Sequence, residues 1–178
     1  MSDENLSSGA ATARTLEPPA VMRQTWPMAE GDTRFDLIIV GGGMTGLALA
    51  CAVAGAGVPV LLIEQRALPE TTALPFDGRV TAIAQGSRRL LEAIGVWPHL
   101  ADEAQPILDI EVGERHSPLT VHYDHREVGG EPLGHIVENR VIRRALLRRI
   151  AELTGSALDV RAPERTGPVE RGADAVDV

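Results

Sequence analysis

The sequence predicts an α/β fold built on a parallel sheet, because two short apolar strands flank a glycine-rich turn and a helix. Residues 35–40 form a β-branched run typical of a buried parallel strand. Three consecutive glycines and a fourth three residues later follow it, and residues 47–54 then predict a helix of small and apolar side chains. Residues 58–63 predict the second strand. Strand, turn, helix and strand in this order make a βαβ unit.

The turn after the first strand carries a recognisable glycine spacing. Gly41, Gly43 and Gly46 fall in the G-x-G-x-x-G frame. In this frame the first glycine permits the turn, the second lets the backbone approach a pyrophosphate, and the third lets the helix pack against the strand. A pyrophosphate bound there faces the free N–H groups and the positive dipole end of the helix. We therefore interpret the turn as a diphosphate-binding loop.

Glu64 ends the second strand, eighteen residues after Gly46. An acidic residue at this place in a βαβ unit accepts hydrogen bonds from an adenosine ribose. Strands, glycines, helix and Glu64 together predict a Rossmann-like dinucleotide site. The alternative is a glycine turn in an ordinary βαβ unit that binds no ligand.

Composition excludes several other classes of protein. The chain has 178 residues and a formal net charge of −8, which argues against nucleic-acid binding. The single cysteine, Cys51, allows no internal disulfide and suits a small packed residue of the first helix. No stretch resembles a transmembrane segment. Residues 1–34 lack periodicity and carry acidic residues, so we expect a disordered leader and neither a secretory signal nor a transit peptide.

Residues 76–97 end in a predicted amphipathic helix that a glycine closes. Ser87 is the expected N-cap and Gly95 the expected residue just beyond the C-terminus. The predicted apolar stripe of this helix consists of Leu90, Leu91 and Ile94, with Arg88, Arg89 and Glu92 nearer solvent.

Residues 106–112 and 119–123 predict two strands joined by a polar turn. Nearby His116, His122, Asp124 and His125 raise a metal hypothesis. Side chains alternate along a strand, so His122 and His125 point to opposite faces and do not share one ion. We therefore predict scattered histidines on a solvated hairpin, and no metal site.

Residues 141–153 predict a third helix, and residues 157–160 predict a further short strand. The helix buries Ile142, Leu146, Ile150 and Leu153. Its other faces are expected to be largely solvated and carry five arginines: Arg140, Arg143, Arg144, Arg148 and Arg149. Such a cluster also suits peripheral contact with an anionic membrane surface.

Residues 75–100, with the D-x-R motif Asp77-Gly78-Arg79, follow the glycine loop and Glu64 in a characteristic order. Together these segments resemble the flavin-dependent aromatic hydroxylases of ubiquinone biosynthesis, among the single-component flavoprotein monooxygenases. The likeness is strongest to the 2-polyprenyl-6-methoxyphenol hydroxylase branch. The resemblance implies that Arg79 contacts the diphosphate side of FAD, where a guanidinium makes paired charge-assisted hydrogen bonds.

The resemblance implies further that Asn139 approaches the flavin from the start of the helix predicted at residues 141–153. It also implies that residues 105–133 begin a substrate-domain sheet inserted into the FAD-binding domain. The likeness covers residues 35–160, well under half of a complete family member. We therefore expect residues 35–178 to form a partial FAD-binding domain that is inactive by itself.

The implied chemistry is hydroxylation of a polyprenyl phenol with FAD, NAD(P)H and dioxygen. The cofactor carries this chemistry, so we nominate no catalytic acid, base or nucleophile. The implied location is cytoplasmic, with peripheral contact at the inner membrane or with a biosynthetic complex. Two alternatives remain open: another FAD or NAD oxidoreductase of the same fold, and a truncated nucleotide-binding piece without catalysis.

Overall fold

The computed structural model describes residues 34–68, 78–115 and 119–178. Residues 1–33 of the predicted leader lie outside the described residues, and so do Asp77 and His116. The helices are α1 (Met44–Gly55), α2 (Gln85–Ala93) and α3 (Asn139–Leu153). The strands, in chain order, are β1 (Leu37–Val40), β2 (Val60–Ile63), β3 (Val80–Ala84), β4 (Gln105–Ile107), β5 (Asp109–Gly113), β6 (Thr120–Asp124), β7 (Gly134–Glu138), β8 (Leu158–Arg161), β9 (Glu170–Arg171) and β10 (Val176–Asp177).

Strands β1, β2 and β8 form a parallel sheet with β2 in the centre. Leu37 and Leu158 both pair with Val60, so the three strands end together at one edge. All four residues of β2 are buried, which explains its continuous apolar run. The predicted α/β fold with a parallel sheet is confirmed, although β1 and β2 each begin two residues later than expected.

Helix α1 packs on this sheet and α3 packs on α1, and together the two helices supply much of the core. The predicted stripe of α3 is confirmed, and Val141 and Ala145 are buried beside it. Cys51 of α1 is fully buried, with its Sγ 4.0 Å from the carbonyl oxygen of Leu146. Burial raises the pKa of the Cys51 thiol to about 11. The thiol therefore stays protonated at neutral pH and acts as a packed side chain.

A second sheet, antiparallel and ordered β3-β7-β4, was not predicted from the sequence. Both of its longer strands run straight into helices: β3 ends at Ala84 where α2 begins, and β7 ends at Glu138 where α3 begins. Gly134 opens β7 at a close approach, since a Cβ there would lie 2.5 Å from the carbonyl oxygen of Ile83.

We expect Gly134→Ala to destabilise the protein by about 3 kcal/mol, because the added methyl group collides with backbone and one strand must shift. The measurement is urea unfolding followed by circular dichroism. Gly86→Ala is the matched control, because a Cβ at this helical glycine meets nothing within 4 Å. Equal stability of the two variants would refute the close approach.

The predicted strand 106–112 is wrong in one respect, because the chain changes partner within it. Strand β4 pairs with β7, whereas β5 pairs with β6 in a separate two-stranded hairpin. The carbonyl oxygen of Leu108, between them, accepts from the backbone N–H of His125 over 3.0 Å. This contact lies where the strand breaks. Whether residues 105–133 begin a substrate-domain sheet stays a prediction.

Helix α2 differs from its prediction at two positions. It begins at Gln85 with Ala84 as N-cap, so the proposed N-cap Ser87 is wrong. Leu90 is 58% exposed. Leu90 and Leu91 are separated by about 100° around a helix, and here Leu91 packs partly buried against the core whereas Leu90 faces solvent. The position of Gly95 just beyond the C-terminus is confirmed, with φ of 77°.

No helix in the three described segments combines the length and the apolar character needed to cross a membrane.

Candidate functional site

The glycine loop links the end of β1 to the start of α1. Gly41 has φ of 113°, a conformation that favours glycine, and its N–H donates to the carbonyl oxygen of Ile63 over 2.8 Å. A Cβ on Gly46 would lie 2.0 Å from the carbonyl oxygen of Gly41, so this position excludes every side chain. A Cβ on Gly43 would meet nothing within 4 Å. The loop is therefore closely packed at Gly46 and open at Gly43, as the fingerprint requires.

The N-terminus of α1 has the properties of an anion site. Gly43 is its N-cap, no side chain caps it, and its first turn holds no acidic residue. The first N–H groups of an α-helix have no acceptor within the helix, and the dipole makes this end positive. A diphosphate placed beside Gly43 meets both features.

Glu64 lies against the same loop. Its carboxylate accepts from the N–H of Gly42 over 2.6 Å and from the N–H of Arg66 over 2.9 Å. The N–H of Arg66 and then that of Gly42 are the main causes that hold the pKa of Glu64 below its usual value. The carboxylate is therefore ionised at neutral pH and acts as an acceptor.

A pocket of about 330 Å³ opens at the carboxyl ends of β1 and β2. Glu64 is one wall of it, and the chain after β8 provides the opposite wall. Its lining residues are Val40, Gly41, Ile63, Glu64, Gln65, Glu164, Arg165 and Thr166. Ligands of open α/β sheets bind at this edge, so the structure places the predicted ribose-binding carboxylate where a nucleotide would lie.

We expect Glu64→Gln to lower the thermal unfolding midpoint at pH 7, because the amide lacks the charge that strengthens both hydrogen bonds. The folded-state pKa of Glu64 is depressed, so its stabilisation is present above the unfolded-state value and is lost as pH falls through the folded-state value. The difference from wild type should therefore shrink below about pH 4.5. Melting curves at several pH values measure it.

Glu111→Gln on the exposed strand β5 is the charge-matched control. A destabilisation by Glu64→Gln that is constant from neutral to acidic pH would contradict the assigned role of the carboxylate.

Arg79 and Asn139, the two residues that the resemblance implies for the flavin side, are neighbours. The backbone N–H of Asn139 donates to the carbonyl oxygen of Arg79 over 3.1 Å. The hydroxyl of Thr81 donates to the side-chain oxygen of Asn139 over 2.6 Å. This leaves the NH₂ of Asn139 as its donor group. Sequence reasoning missed Thr81 because strand β3 was not predicted.

Arg143 connects this pair to the glycine loop. It lies one helical turn after Asn139 on α3, and its Nη1 donates to the carbonyl oxygen of Gly42 over 3.4 Å. Glu64, Gly42, Arg143, Asn139 and Arg79 thus follow one another along one continuous strip. These contacts connect the glycine loop and Glu64 with Asn139 and Arg79 through Arg143.

The expectation that the α3 arginines face solvent is wrong for several of them. Arg143 reaches the loop, Arg144 pairs with Glu103, and Arg149 donates to the carbonyl oxygen of Ile94 over 3.1 Å. Arg148 is exposed. Arg143, Arg144 and Arg149 of α3 therefore make contacts within the protein.

The histidines near the hairpin have separate partners. His122 Nε2 lies 3.1 Å from Asp109 Oδ1, and His125 Nδ1 lies 3.1 Å from the carbonyl oxygen of Leu108. Asp124 lies 3.3 Å from His125 Nδ1 and also binds Arg126, whose side chain and N–H hold the pKa of that carboxyl well below its usual range. Within residues 34–68, 78–115 and 119–178, no three metal-ligating side chains converge.

Comparison with known proteins identifies the family of the chain. The model of the FAD binding domain family matches residues 34–177. The chain belongs to this family. The cofactor-binding roles predicted for the glycine loop, Glu64, Arg79 and Asn139 remain predictions.

The FAD-binding chain has several curated relatives. It is 42% identical over 161 residues to the ubiquinone hydroxylase UbiL of Rhodospirillum rubrum, covering 90% of this chain and 36% of the relative. It is 34% identical to the ubiquinone hydroxylase UbiM of Neisseria meningitidis, covering 66% and 27%. A mitochondrial ubiquinone biosynthesis monooxygenase of Homo sapiens is 30% identical, with 80% and 31% covered. The chain thus spans about a third of the length of these relatives.

Solved structures share the fold of this FAD-binding chain. The anhydrotetracycline hydroxylase OxyS from Streptomyces rimosus matches with a TM-score of 0.60 and 28% identity, over 81% of this chain and 27% of that chain. The flavin-dependent monooxygenase PieE, in complex with FAD and substrate, matches with a TM-score of 0.59 and 20% identity, over 82% and 26%. The second likeness shows the fold alone.

Proposed function

We propose that this FAD-binding chain is the N-terminal part of an aromatic-ring monooxygenase that hydroxylates a polyprenylated phenol in ubiquinone biosynthesis. The 42% identity to a ubiquinone hydroxylase over 90% of the chain carries the proposal. The chain spans 36% of that relative, so the remaining chemistry belongs to segments outside the compared region.

The residues of this chain bind and orient the cofactor. The N-terminus of α1 holds the diphosphate, Glu64 accepts hydrogen bonds from the ribose, Arg79 neutralises phosphate charge, and Asn139 donates from the start of α3. FAD, when bound, supplies electron transfer from NAD(P)H to dioxygen, so that one oxygen atom enters the ring and the other leaves as water.

Flavin binding is the direct test on the chain itself. The purified chain is mixed with FAD, passed over a sizing column, and its visible spectrum is recorded. We expect flavin absorption bands to elute with the protein. Absence of binding at tens of micromolar FAD would refute cofactor binding by this chain, and a thermal shift with NAD alone would favour a dehydrogenase of the same fold.

The proposed reaction is tested in the cell with the intact gene product. Deletion of the gene should lower ubiquinone and accumulate a prenylated precursor that lacks one ring oxygen, detected by mass spectrometry. A normal quinone profile would contradict the proposal and favour another oxidoreductase of the same fold.

We also propose a cytoplasmic protein in peripheral contact with the inner membrane, because a polyprenyl substrate partitions into lipid. The prediction is recovery of the intact gene product with membranes at low salt and its release at high salt. Recovery in the soluble fraction at low salt would refute this location.

A further inference from the structure

Gly42 lies between the first two glycines of the fingerprint and is held on both sides of its peptide backbone. Its N–H donates to the Glu64 carboxylate over 2.6 Å, and its carbonyl oxygen accepts from Arg143 over 3.4 Å. Gly42 is buried, and a Cβ there would lie 3.0 Å from the Cβ of Glu64 and 3.1 Å from the Cδ2 of Leu68. The fingerprint makes no demand on this residue, so its neighbours fix it.

The two hydrogen bonds to Gly42 come from separate elements. Glu64 follows β2, whereas Arg143 lies on α3, and the two residues are 79 positions apart in the sequence. The N–H groups of Arg66 and Gly42 are the main causes that lower the pKa of Glu64, and the charge of Arg143 lowers it further. Arg143 therefore acts electrostatically on the carboxylate as well as on the loop.

We propose that Arg143 is a positioning residue that holds the Gly42 peptide, and through it the glycine loop, ready for the FAD diphosphate. Glu64 restrains the N–H of Gly42, and Arg143 restrains the carbonyl of the same residue. A loop held in its binding geometry before the ligand arrives loses less conformational entropy on binding. The inference rests on the proposed FAD binding by this chain.

The same arginine links the two ends of the site. Asn139 and Arg143 lie one turn apart on α3, so both move with that helix. Arg143 thereby fixes the distance between the loop at the diphosphate and the Asn139 amide at the flavin side. An arginine that merely covers the helix surface would have neither consequence.

The first test needs no flavin. Hydrogen exchange of peptides covering residues 41–47 is compared in the wild-type chain, Arg143→Met, Arg143→Lys and Arg148→Met. We expect about ten-fold faster exchange of the loop in Arg143→Met, since a hydrogen bond to a charged group is lost. Arg143→Lys should recover part of the protection, and the exposed control Arg148→Met should match wild type.

The second test is the Kd for FAD, measured by quenching of flavin fluorescence in the same four proteins. We expect about ten-fold weaker binding by Arg143→Met, partial recovery with lysine, and no change in the control. Thermal melts separate this from a packing effect, because lower stability with unchanged Kd would show a structural role and overturn the proposal.

Loop exchange equal to wild type in Arg143→Met would also overturn it. If Arg143→Met does not fold, Arg143→Gln replaces it in both measurements. Faster loop exchange and weaker FAD binding in Arg143→Gln than in Arg143→Lys would support the proposal, and wild-type values in Arg143→Gln would overturn it. If wild type binds no FAD, the proposed function fails, whereas loop exchange still decides the role of Arg143.

Discussion

Gly46→Ala is expected to abolish FAD binding and to destabilise the protein by about 3 kcal/mol or more. A Cβ at this position would lie 2.0 Å from the carbonyl oxygen of Gly41, so the loop and α1 must separate. Both the packing of α1 on β1 and the direction of its N-terminus then change. Urea unfolding measures the loss of stability, and a flavin fluorescence titration measures the loss of binding.

Gly43→Ala is the matched control, because it adds the same methyl group to the same loop. Its Cβ meets nothing within 4 Å, so we expect little loss of stability. The second glycine of the fingerprint lets the backbone approach the pyrophosphate without a Cβ in the way, so FAD binding should still weaken. If the two alanine variants unfold alike, the internal contact between Gly46 and Gly41 is not the determinant of this loop.

Arg79→Ala is expected to raise the Kd for FAD more than ten-fold. In the proposed site the guanidinium makes charge-assisted hydrogen bonds with phosphate oxygens, and each hydrogen bond to a charged group contributes about 1.5 to 3 kcal/mol. Equilibrium titration with FAD, at constant ionic strength, measures the change.

Arg79→Lys keeps the charge but loses the paired geometry, so its Kd should lie between those of wild type and the alanine variant. Arg148→Ala removes the same charge from an exposed position of α3 and should leave the Kd unchanged. An unaltered affinity in Arg79→Ala would show that the diphosphate is held by the loop alone.

The parallel sheet and its helices were predictable because their patterns are local and strong. Strand β2 has four buried apolar residues in a row, and α3 repeats its apolar residues at helical spacing. The glycine frame likewise predicted the turn between β1 and α1, against which Glu64 lies. Helix starts were the weaker part, as α1 and α3 begin at Met44 and Asn139, earlier than predicted.

Strands β3 and β7 were not predictable because their sequences carry little strand pattern. β3 contains Ala82 and Ala84, and β7 begins with Gly134, all of which have low strand propensity. Their pairing joins residues fifty or more positions apart, which no local window detects. The Thr81 contact with Asn139 was missed for the same reason.

Arg143 escaped prediction for a different reason. In the sequence it is one of five arginines on one helix, a composition typical of a solvated surface. Its contact with Gly42 depends on how α3 packs against α1, which the helical period does not reveal. The exposed Leu90 shows the converse, since an apolar residue at the expected spacing remained outside the core.

Because β7 joins α3 directly, Asn139, at the proposed flavin end of the site, moves with α3 as one rigid unit. Asn139 follows Glu138 of the strand without a loop, so it has no independent hinge. The helix is fifteen residues long, about 22 Å, and its far end is anchored by Leu153 in the core. A tilt at that distant end would displace Asn139 and Arg143 together, so mutations near Leu153 should alter flavin affinity from outside the site.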